Sequence, residues 1–159
     1  MNEKLVFFGK QGDQEICIKF ATSYSKEAHE ILAKRGVAPA LHGVERLPGG
    51  WTMVVMDRIG KEYVPLRKKA SEKIRKSLLN HLKALHSAGF VHGDVRNANV
   101  MQRGDGKEGC LLLYYDWAGR IGEVRYPMNV NEGMDLWRPE VQDGVLIKAR
   151  YNIDMAEAL

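Results

Sequence analysis

A short polar loop near the middle of the sequence combines side chains that can move protons and bind a metal ion. The segment VHGDVRNANVM, residues 91–101, carries Asp94, Arg96 and Asn99 between valines and a methionine. A single Asp or Asn in a loop is usually a turn former, but apolar anchors on both sides hold this loop and fix where its polar groups point. Phosphoryl transfer needs a carboxylate that orients or deprotonates a hydroxyl, and an oxygen ligand for Mg²⁺ a few residues on. The loop therefore predicts a site for that chemistry.

Strand-like segments precede this loop in the sequence. KLVFF (4–8) and EICIKF (15–20) are rich in strand-forming residues and flank GKQGDQ, which predicts a β-hairpin. WTMVVMDRI (51–59) follows the turn LPGG and predicts a buried strand. Between them, KEAHEILAKRG (26–36) has apolar residues at helical spacing and ends in glycine, which predicts a short helix.

The longest predicted element leads directly into the polar loop. Over residues 70–88, Ile74, Leu78, Leu82 and Leu85 form one apolar stripe, which predicts a helix that Gly89 ends. After the loop, CLLLYYD (110–116) predicts a strand, and the remainder is mostly loop until the closing segment VLIKARYNIDMAEAL. The loop is thus expected between a long helix and a β-hairpin.

Composition indicates one soluble globular domain. The chain has 159 residues, of which 45% are hydrophobic and 28% charged, and no apolar run has the length of a signal peptide or a membrane span. Cys17 and Cys110 are far apart in apolar segments, which is typical of reduced, buried thiols, so we expect a cytoplasmic or nuclear protein. The basic run at 67–76 opens a helix and has no interleaved aromatic residues, so nucleic-acid binding is not expected.

The polar loop resembles the catalytic loop of the protein-kinase superfamily. HGDVRNAN is similar to the pattern His-x-Asp-Leu/Val-Lys/Arg-x-x-Asn, and LHSAGFVHGD is similar to the run that enters that loop. The resemblance implies an α+β bilobal fold, with a small β lobe over 1–59 and a partial helical lobe over 60–159. It also implies that Asp94 is the catalytic base, that Arg96 faces phosphate, and that Asn99 binds magnesium.

The resemblance extends to an ATP site in the first lobe. EICIKF is similar to the strand that carries the ATP-binding lysine, so Lys19 is expected to hold the α- and β-phosphates of ATP, and Cys17 on the same face to cover the adenine. Glu27 of the next helix would be the ion-pair partner of Lys19, with Glu30 as the alternative.

The strand at 51–59 resembles the one that runs into the inter-lobe hinge. Met56 would be the gatekeeper, although a plain core methionine is an equally good interpretation. The backbone at Asp57 and Ile59 would bind the adenine. The expected ligands are thus ATP and Mg²⁺, together with a hydroxyl acceptor of unknown identity.

DWAGRIGEVRYPMNVN is most similar to a fungal branch of kinase-like proteins, whose metal-site segment is Ile-Asp-Phe-Asp-Trp-Ala-Gly. LWRPE (136–140) and YNIDM fit that branch, and Asp154 would support the catalytic loop. In one alignment Tyr114 replaces the magnesium-binding Asp, and in the other Asp116 is the ligand. A phenol that titrates near 10 cannot act as a hard anionic ligand at neutral pH, and strand alternation would direct residues 114 and 116 to the same side.

Two departures from the resemblance leave the function open. The first strand and the Gly-rich loop are expected to be absent, so the segment 4–8 would be an unprotected sheet edge available for self-association or for a protein partner. The peptide-binding helices of protein kinases are also expected to be absent. Two functions follow: an ATP-dependent phosphotransferase, or an inactive pseudokinase-like scaffold or binding module.

Overall fold

A computed structural model describes residues 5–128, 130 and 141–159 of the chain. Lys4, at the start of the first predicted strand, and the segment LWRPE (136–140) lie outside the described residues.

A four-stranded antiparallel sheet forms the first part of the molecule, in the order β1-β2-β4-β3. Its strands are β1 (Leu5–Gln11), β2 (Gln14–Ala21), β3 (Leu41–Arg46) and β4 (Thr52–Asp57). The predicted hairpin is present, and only Gly12 and Asp13 separate its strands, because Gln11 pairs with Gln14. Gly12 has a φ of 62°, which glycine adopts without strain.

Helix α1 lies between β2 and β3 in the chain order. It spans Lys26–Ala33, and the Ser25 side chain caps it by accepting a hydrogen bond from the Ala28 backbone N–H. Ala28, His29 and Leu32 form its buried face. The predicted helix is present, but its buried face also includes a histidine, His29, directly after Ala28.

The second part of the molecule holds the long helix and several short elements. They are α2 (Glu72–Ser87), α3 (Ala149–Glu157), β5 (Tyr63–Pro65), β6 (Phe90–Val91), β7 (Val100–Arg103), β8 (Cys110–Leu112) and β9 (Gly119–Arg120). Strands β5, β7 and β8 form a three-stranded sheet, and β6 pairs with β9. Leu78, Leu82 and Leu85, which the sequence placed on the apolar stripe of α2, are buried in the core, and Gly89 follows the helix with a φ of 87°. The architecture is the mixture of a small β part and a helical part that the sequence predicted.

Two elements differ from the sequence-based prediction. Strand β3 was not predicted, because LHGVER is largely polar and its side chains are half-buried or exposed. The predicted strand at 110–116 ends at Leu112, and Tyr114 has a φ of 64°, a left-handed conformation that a strand cannot contain. Strand alternation therefore does not place the side chains at positions 114 and 116 on one side.

The helical part is held together by a continuous apolar core in which α2 packs against α3, β6 and β8. No helix in the described part of the chain has the length and apolarity that crossing a bilayer requires.

Removing a core side chain from α2 is expected to destabilise the fold strongly. Leu82 is fully buried, so Leu82→Ala should lower the free energy of unfolding by about 2–5 kcal/mol through lost burial and a residual cavity. Urea denaturation measures this loss. Lys83→Ala, an exposed position one residue along, is the control and should change the unfolding free energy by less than about 0.5 kcal/mol. Similar losses in the two variants would contradict the assigned helix face.

Candidate functional site

A buried ion pair lies at the centre of the site. The ammonium Nζ of Lys19, on β2, is 2.5 Å from both carboxylate oxygens of Asp116. Lys19 is 3% exposed, whereas the Asp116 side chain is 32% exposed. A buried charge is costly unless it is paired and hydrogen-bonded. The carboxylate of Asp116 therefore neutralises the charge of the buried Lys19, and part of this carboxylate remains accessible to solvent.

Two tyrosine rings surround the same ammonium group. Lys19 Nζ lies 4.7 Å from the ring centroid of Tyr114 and 5.6 Å from that of Tyr24, within the range of cation–π attraction. Tyr114 and Asp116 thus both contact Lys19, although no strand alternation places them there. The left-handed backbone at Tyr114 turns the chain so that this is possible.

The expected ion pair between Lys19 and Glu27 is not present. Glu27 is exposed on α1, since the buried face of that helix passes through Ala28 and His29. The alternative partner, Glu30, lies 3.7 Å from Lys26 on the helix surface. Asp116 takes the place that the sequence analysis gave to a glutamate of α1.

The other residues predicted to bind ATP line one cavity of about 370 Å³ beside Lys19. They are Cys17, Met56, Asp57 and Ile59. The backbone N–H of Asp57 is bonded to the carbonyl of Ala40, and that of Arg58 to Glu15. Within the described residues the N–H of Ile59 has no such partner, so it is available to an acceptor atom of a ligand.

The residues predicted for catalysis and for metal binding on the polar loop meet one another in the second part of the site. The carboxylate Oδ1 of Asp94 lies 2.9 Å from Nε of Arg96, and both side chains are largely buried. Asn99 is fully buried and donates its amide N–H to the backbone carbonyl of Asp94, at 2.8 Å. This donation fixes the amide orientation and leaves Oδ1 of Asn99 buried, with no hydrogen-bond partner among the described residues.

Asn152 of α3 supports the backbone at the start of this loop. Its Oδ1 accepts hydrogen bonds from the backbone N–H of His92 at 2.7 Å and from that of Gly93 at 3.4 Å. The sequence predicted this role for Asp154, two residues further along the same helix. Asp154 is half-buried, and its role stays a prediction.

Two buried histidines and Tyr115 form an aromatic column beneath the site. His29 stacks on the ring of Tyr115 with the ring centroids 4.5 Å apart, and His92 meets the same Tyr115 ring edge-on at 5.0 Å. Nδ1 of His92 accepts from the N–H of Asp94, so its Nε2 donates to the carbonyl of Leu113. Burial lowers the pKa of His92 to about 3 and that of His29 to about 4. Both rings are therefore neutral at physiological pH.

The polar loop at 91–101 and the segment that carries Asp116 are in direct contact. The N–H of Leu113 donates to the carbonyl of Asn99 at 2.8 Å. Gly93 lies so close to Trp117 that a Cβ added there would be 2.8 Å from the Trp117 carbonyl oxygen. These two contacts hold the loop that contains Asp94 and Asn99 against the segment 113–117.

The donor set is compatible with a magnesium ion that also binds phosphate. The unpartnered Oδ1 of Asn99 and the half-exposed carboxylate of Asp116 are oxygen ligands of the kind that Mg²⁺ prefers. Burial raises the pKa of the Tyr114 phenol further above its ordinary value, so Tyr114 remains protonated and is not an anionic ligand. In the described part of the chain no group of three or more His, Cys, Asp or Glu residues could hold a metal ion by itself, and the two oxygens would need phosphate and water ligands to complete the coordination.

Comparison with known proteins shows the fold and no closer relationship. No family model matches the sequence, and no curated protein matches it. The structure is similar to that of the Cydia pomonella granulovirus kinase PK-1, with a TM-score of 0.68 and 16% identity over 92% of this chain. It is also similar to vaccinia related kinase 3, with a TM-score of 0.68 and 15% identity over 98% of this chain.

The chain has a protein-kinase-like fold, and it spans 59% of the length of each of these two structures. The fold predicted from the catalytic-loop pattern is thereby confirmed. At this level of identity, the similarity concerns the fold and not the activity.

Sequence reasoning missed four residues of the site, namely Tyr24, His29, Tyr115 and Asn152. Helical periodicity could have identified His29, because it follows the buried Ala28 on the inner face of α1. The inward position of Tyr115 depends on the left-handed turn at Tyr114, for which the sequence gives no signal. A buried amide such as that of Asn152 requires tertiary structure to be recognised.

A methyl group at Gly93 is expected to disrupt the polar loop at 91–101. Gly93 and Gly89 have φ values of 85° and 87°, but only Gly93 faces close atoms, while Gly89 has none within 4 Å. Gly89→Ala should therefore cost only the left-handed strain, about 1–2 kcal/mol. Gly93→Ala should cost about 1–3 kcal/mol more because of the clash with Trp117. Urea denaturation of both variants measures the difference, and equal losses would contradict the close packing at Gly93.

The two buried histidines should make stability depend on pH. Their folded-state pKa values of about 3 and about 4 lie below the unfolded value near 6.5. Between these values the unfolded chain binds more protons, so stability is complete above 6.5 and falls as the pH drops through this window. Each histidine contributes a slope of up to about 1.4 kcal/mol per pH unit.

Urea denaturation at several pH values between about 4 and 7 measures this slope. His29→Gln is the informative variant, because an amide can replace the hydrogen bonds to Pro39 and Tyr24 without titrating. It should show a shallower slope than the wild-type chain. An unchanged slope would mean that His29 is not buried in its neutral form.

Proposed function

We propose that the chain is an ATP-dependent phosphotransferase domain that transfers the γ-phosphate of ATP to a hydroxyl acceptor. The observation that carries the proposal is the buried Oδ1 of Asn99, which has no hydrogen-bond partner in the described structure and lies on the loop that holds Asp94. A buried acceptor without a partner costs about 1–3 kcal/mol. A cation bound together with ATP would coordinate this oxygen and offset that cost.

Each residue has a role in the proposed reaction. Asp94 orients the acceptor hydroxyl and takes its proton while the hydroxyl oxygen bonds to the γ-phosphorus and the bond from that phosphorus to the β–γ bridging oxygen breaks, which releases ADP. Arg96 holds the carboxylate of Asp94 in place and brings a positive charge beside the transferred group. Lys19 binds the α- and β-phosphates through its positive charge, and the backbone N–H of Ile59 donates a hydrogen bond to the adenine.

Asn99 and Asp116 would hold a magnesium ion, which when bound neutralises phosphate charge. Of the two residues that could occupy the magnesium-ligand position, Asp116 is the more suitable. It is a carboxylate, whereas the phenol of Tyr114 keeps its proton. The assignment to the fungal kinase-like branch is part of this proposal and rests on Asp116-Trp117-Ala118-Gly119. The hydroxyl acceptor, a protein partner and the cytoplasmic location stay predictions from the sequence.

Calorimetric titration with ATP, with and without magnesium, tests the site directly. The wild-type chain should bind ATP, and magnesium should tighten the binding. Asp116→Asn should abolish the magnesium effect while its amide oxygen still accepts a hydrogen bond from Lys19. Tyr114→Phe is the matched control two residues away and should retain the magnesium effect, because the ring that faces Lys19 is kept.

The transfer step is measured separately, as release of inorganic phosphate when water replaces the unknown acceptor. Asp94→Asn should keep magnesium-dependent ATP binding and lose at least about 100-fold in phosphate release. A folded wild-type chain that binds no ATP under either condition would overturn the proposal and indicate the inactive binding module instead. A magnesium effect that survives in Asp116→Asn but is lost in Tyr114→Phe would overturn the metal assignment.

A further inference from the structure

The outer edge of β1 is exposed and apolar. Among the described residues no strand lies beyond β1 in the order β1-β2-β4-β3. Phe7 and Phe8 are 54% and 62% exposed, and the first charged residue after them is Lys10. An apolar strand with free hydrogen-bonding groups is a surface that pairs readily with another strand.

The hairpin geometry shows which backbone groups face outward. The two-residue turn at Gly12 and Asp13 makes Gln11 and Gln14 a hydrogen-bonded pair, and such pairs alternate along an antiparallel ladder. Gly9, Phe7 and Leu5 therefore direct their backbone groups to β2. The N–H and C=O groups of Val6, Phe8 and Lys10 point away from the sheet.

This edge is complementary to itself. Phe8 is the midpoint of the seven described strand residues Leu5–Gln11, so an antiparallel copy centred on Phe8 pairs all seven of them without overhang. Outward-facing Val6 then lies opposite outward-facing Lys10 of the copy, and Phe8 lies opposite Phe8. All three pairs of outward groups can form hydrogen bonds, which a register shifted by one residue does not allow.

The side chains agree with the same register. Phe7 lies opposite Gly9, where its ring can cover the residue that has no side chain, and the two Phe8 rings form a cross-strand aromatic pair. Lys10 faces Val6 rather than the other Lys10, so no like charges are directly opposite each other. Other registers that pair the outward groups leave one end of each strand without a partner.

We infer that two copies of this chain associate through antiparallel pairing of their β1 strands, with Phe8 on the twofold axis. The four-stranded sheets of the two copies then form one eight-stranded sheet. The pairing removes the exposed edge of both copies and covers part of both phenylalanine side chains of each strand. A seven-residue strand pair is smaller than a standard protein interface, so the dimer dissociates on dilution.

The association also affects the cavity beside Lys19. Val6 and Phe8 line that cavity, and directly opposite residues of an antiparallel pair have their side chains on the same face. The second copy therefore places its own Phe8 and Lys10 beside the rim of the cavity. The inference itself does not depend on the proposed enzymatic activity, because it rests on the strand alone.

Sedimentation analysis of the chain without nucleotide, over a wide concentration range, tests the inference. The wild-type chain should form a dimer as its concentration rises. Phe8→Glu and Phe8→Lys should each raise the dimer dissociation constant at least about tenfold, because like charges then meet on the axis. An equimolar mixture of the two variants should recover a dimer, since Glu and Lys are then opposite each other.

Met128→Glu is the matched control, because Met128 is 70% exposed and lies outside β1; it should sediment like the wild-type chain. Circular dichroism verifies that every variant is folded. A wild-type chain that stays monomeric at high concentration overturns the inference. The edge of β1 would then be a candidate binding surface for a different protein. Variants that still dimerise singly, or a mixture that does not recover the dimer, overturn the pairing on Phe8.

Discussion

The buried ammonium group of Lys19 is the constraint on which the rest of the site depends. Lys19 lies in the middle of a sheet and is nearly inaccessible to water, so leaving it unpaired would cost several kcal/mol. Its partner, Asp116, is 97 residues away in sequence. The ion pair therefore joins the β part of the molecule to the helical part, and it requires the chain after β8 to approach the sheet. The left-handed turn at Tyr114 and the inward packing of Tyr115 follow from that approach.

The loop that contains Asp94 and Asn99 is held by hydrogen bonds to buried groups that do not titrate near neutral pH. Asn152 accepts from two consecutive backbone N–H groups, and neutral His92 bridges the N–H of Asp94 and the carbonyl of Leu113. A charged side chain in either place would add a desolvation cost. The lowered pKa of His92 is thus a consequence of its structural role, because the bridge requires one ring nitrogen as donor and the other as acceptor.

Much of this could be predicted from the sequence, and the remainder depends on long-range contacts. Local patterns predicted the hairpin, α1, α2 and the loop with Asp94 and Asn99, because apolar periodicity and glycine positions are local signals. The catalytic-loop pattern predicted the fold. The pairing of Lys19 with Glu27 was wrong, because the carboxylate that reaches Lys19 comes from a distant segment. The end of β8 at Leu112 was missed because Tyr114 and Tyr115 are themselves good strand formers.

The ion pair that stabilises the fold is also compatible with the proposed chemistry. A carboxylate has about four lone-pair sites, so the two hydrogen bonds from Lys19 leave each oxygen of Asp116 able to bind a cation on its exposed side. A second carboxylate at position 114 would place two negative charges beside a single ammonium group. The ring of Tyr114 instead offers its electron-rich face to Lys19. A tyrosine at this position is therefore consistent with a site in which Asp116 alone supplies the anionic ligand.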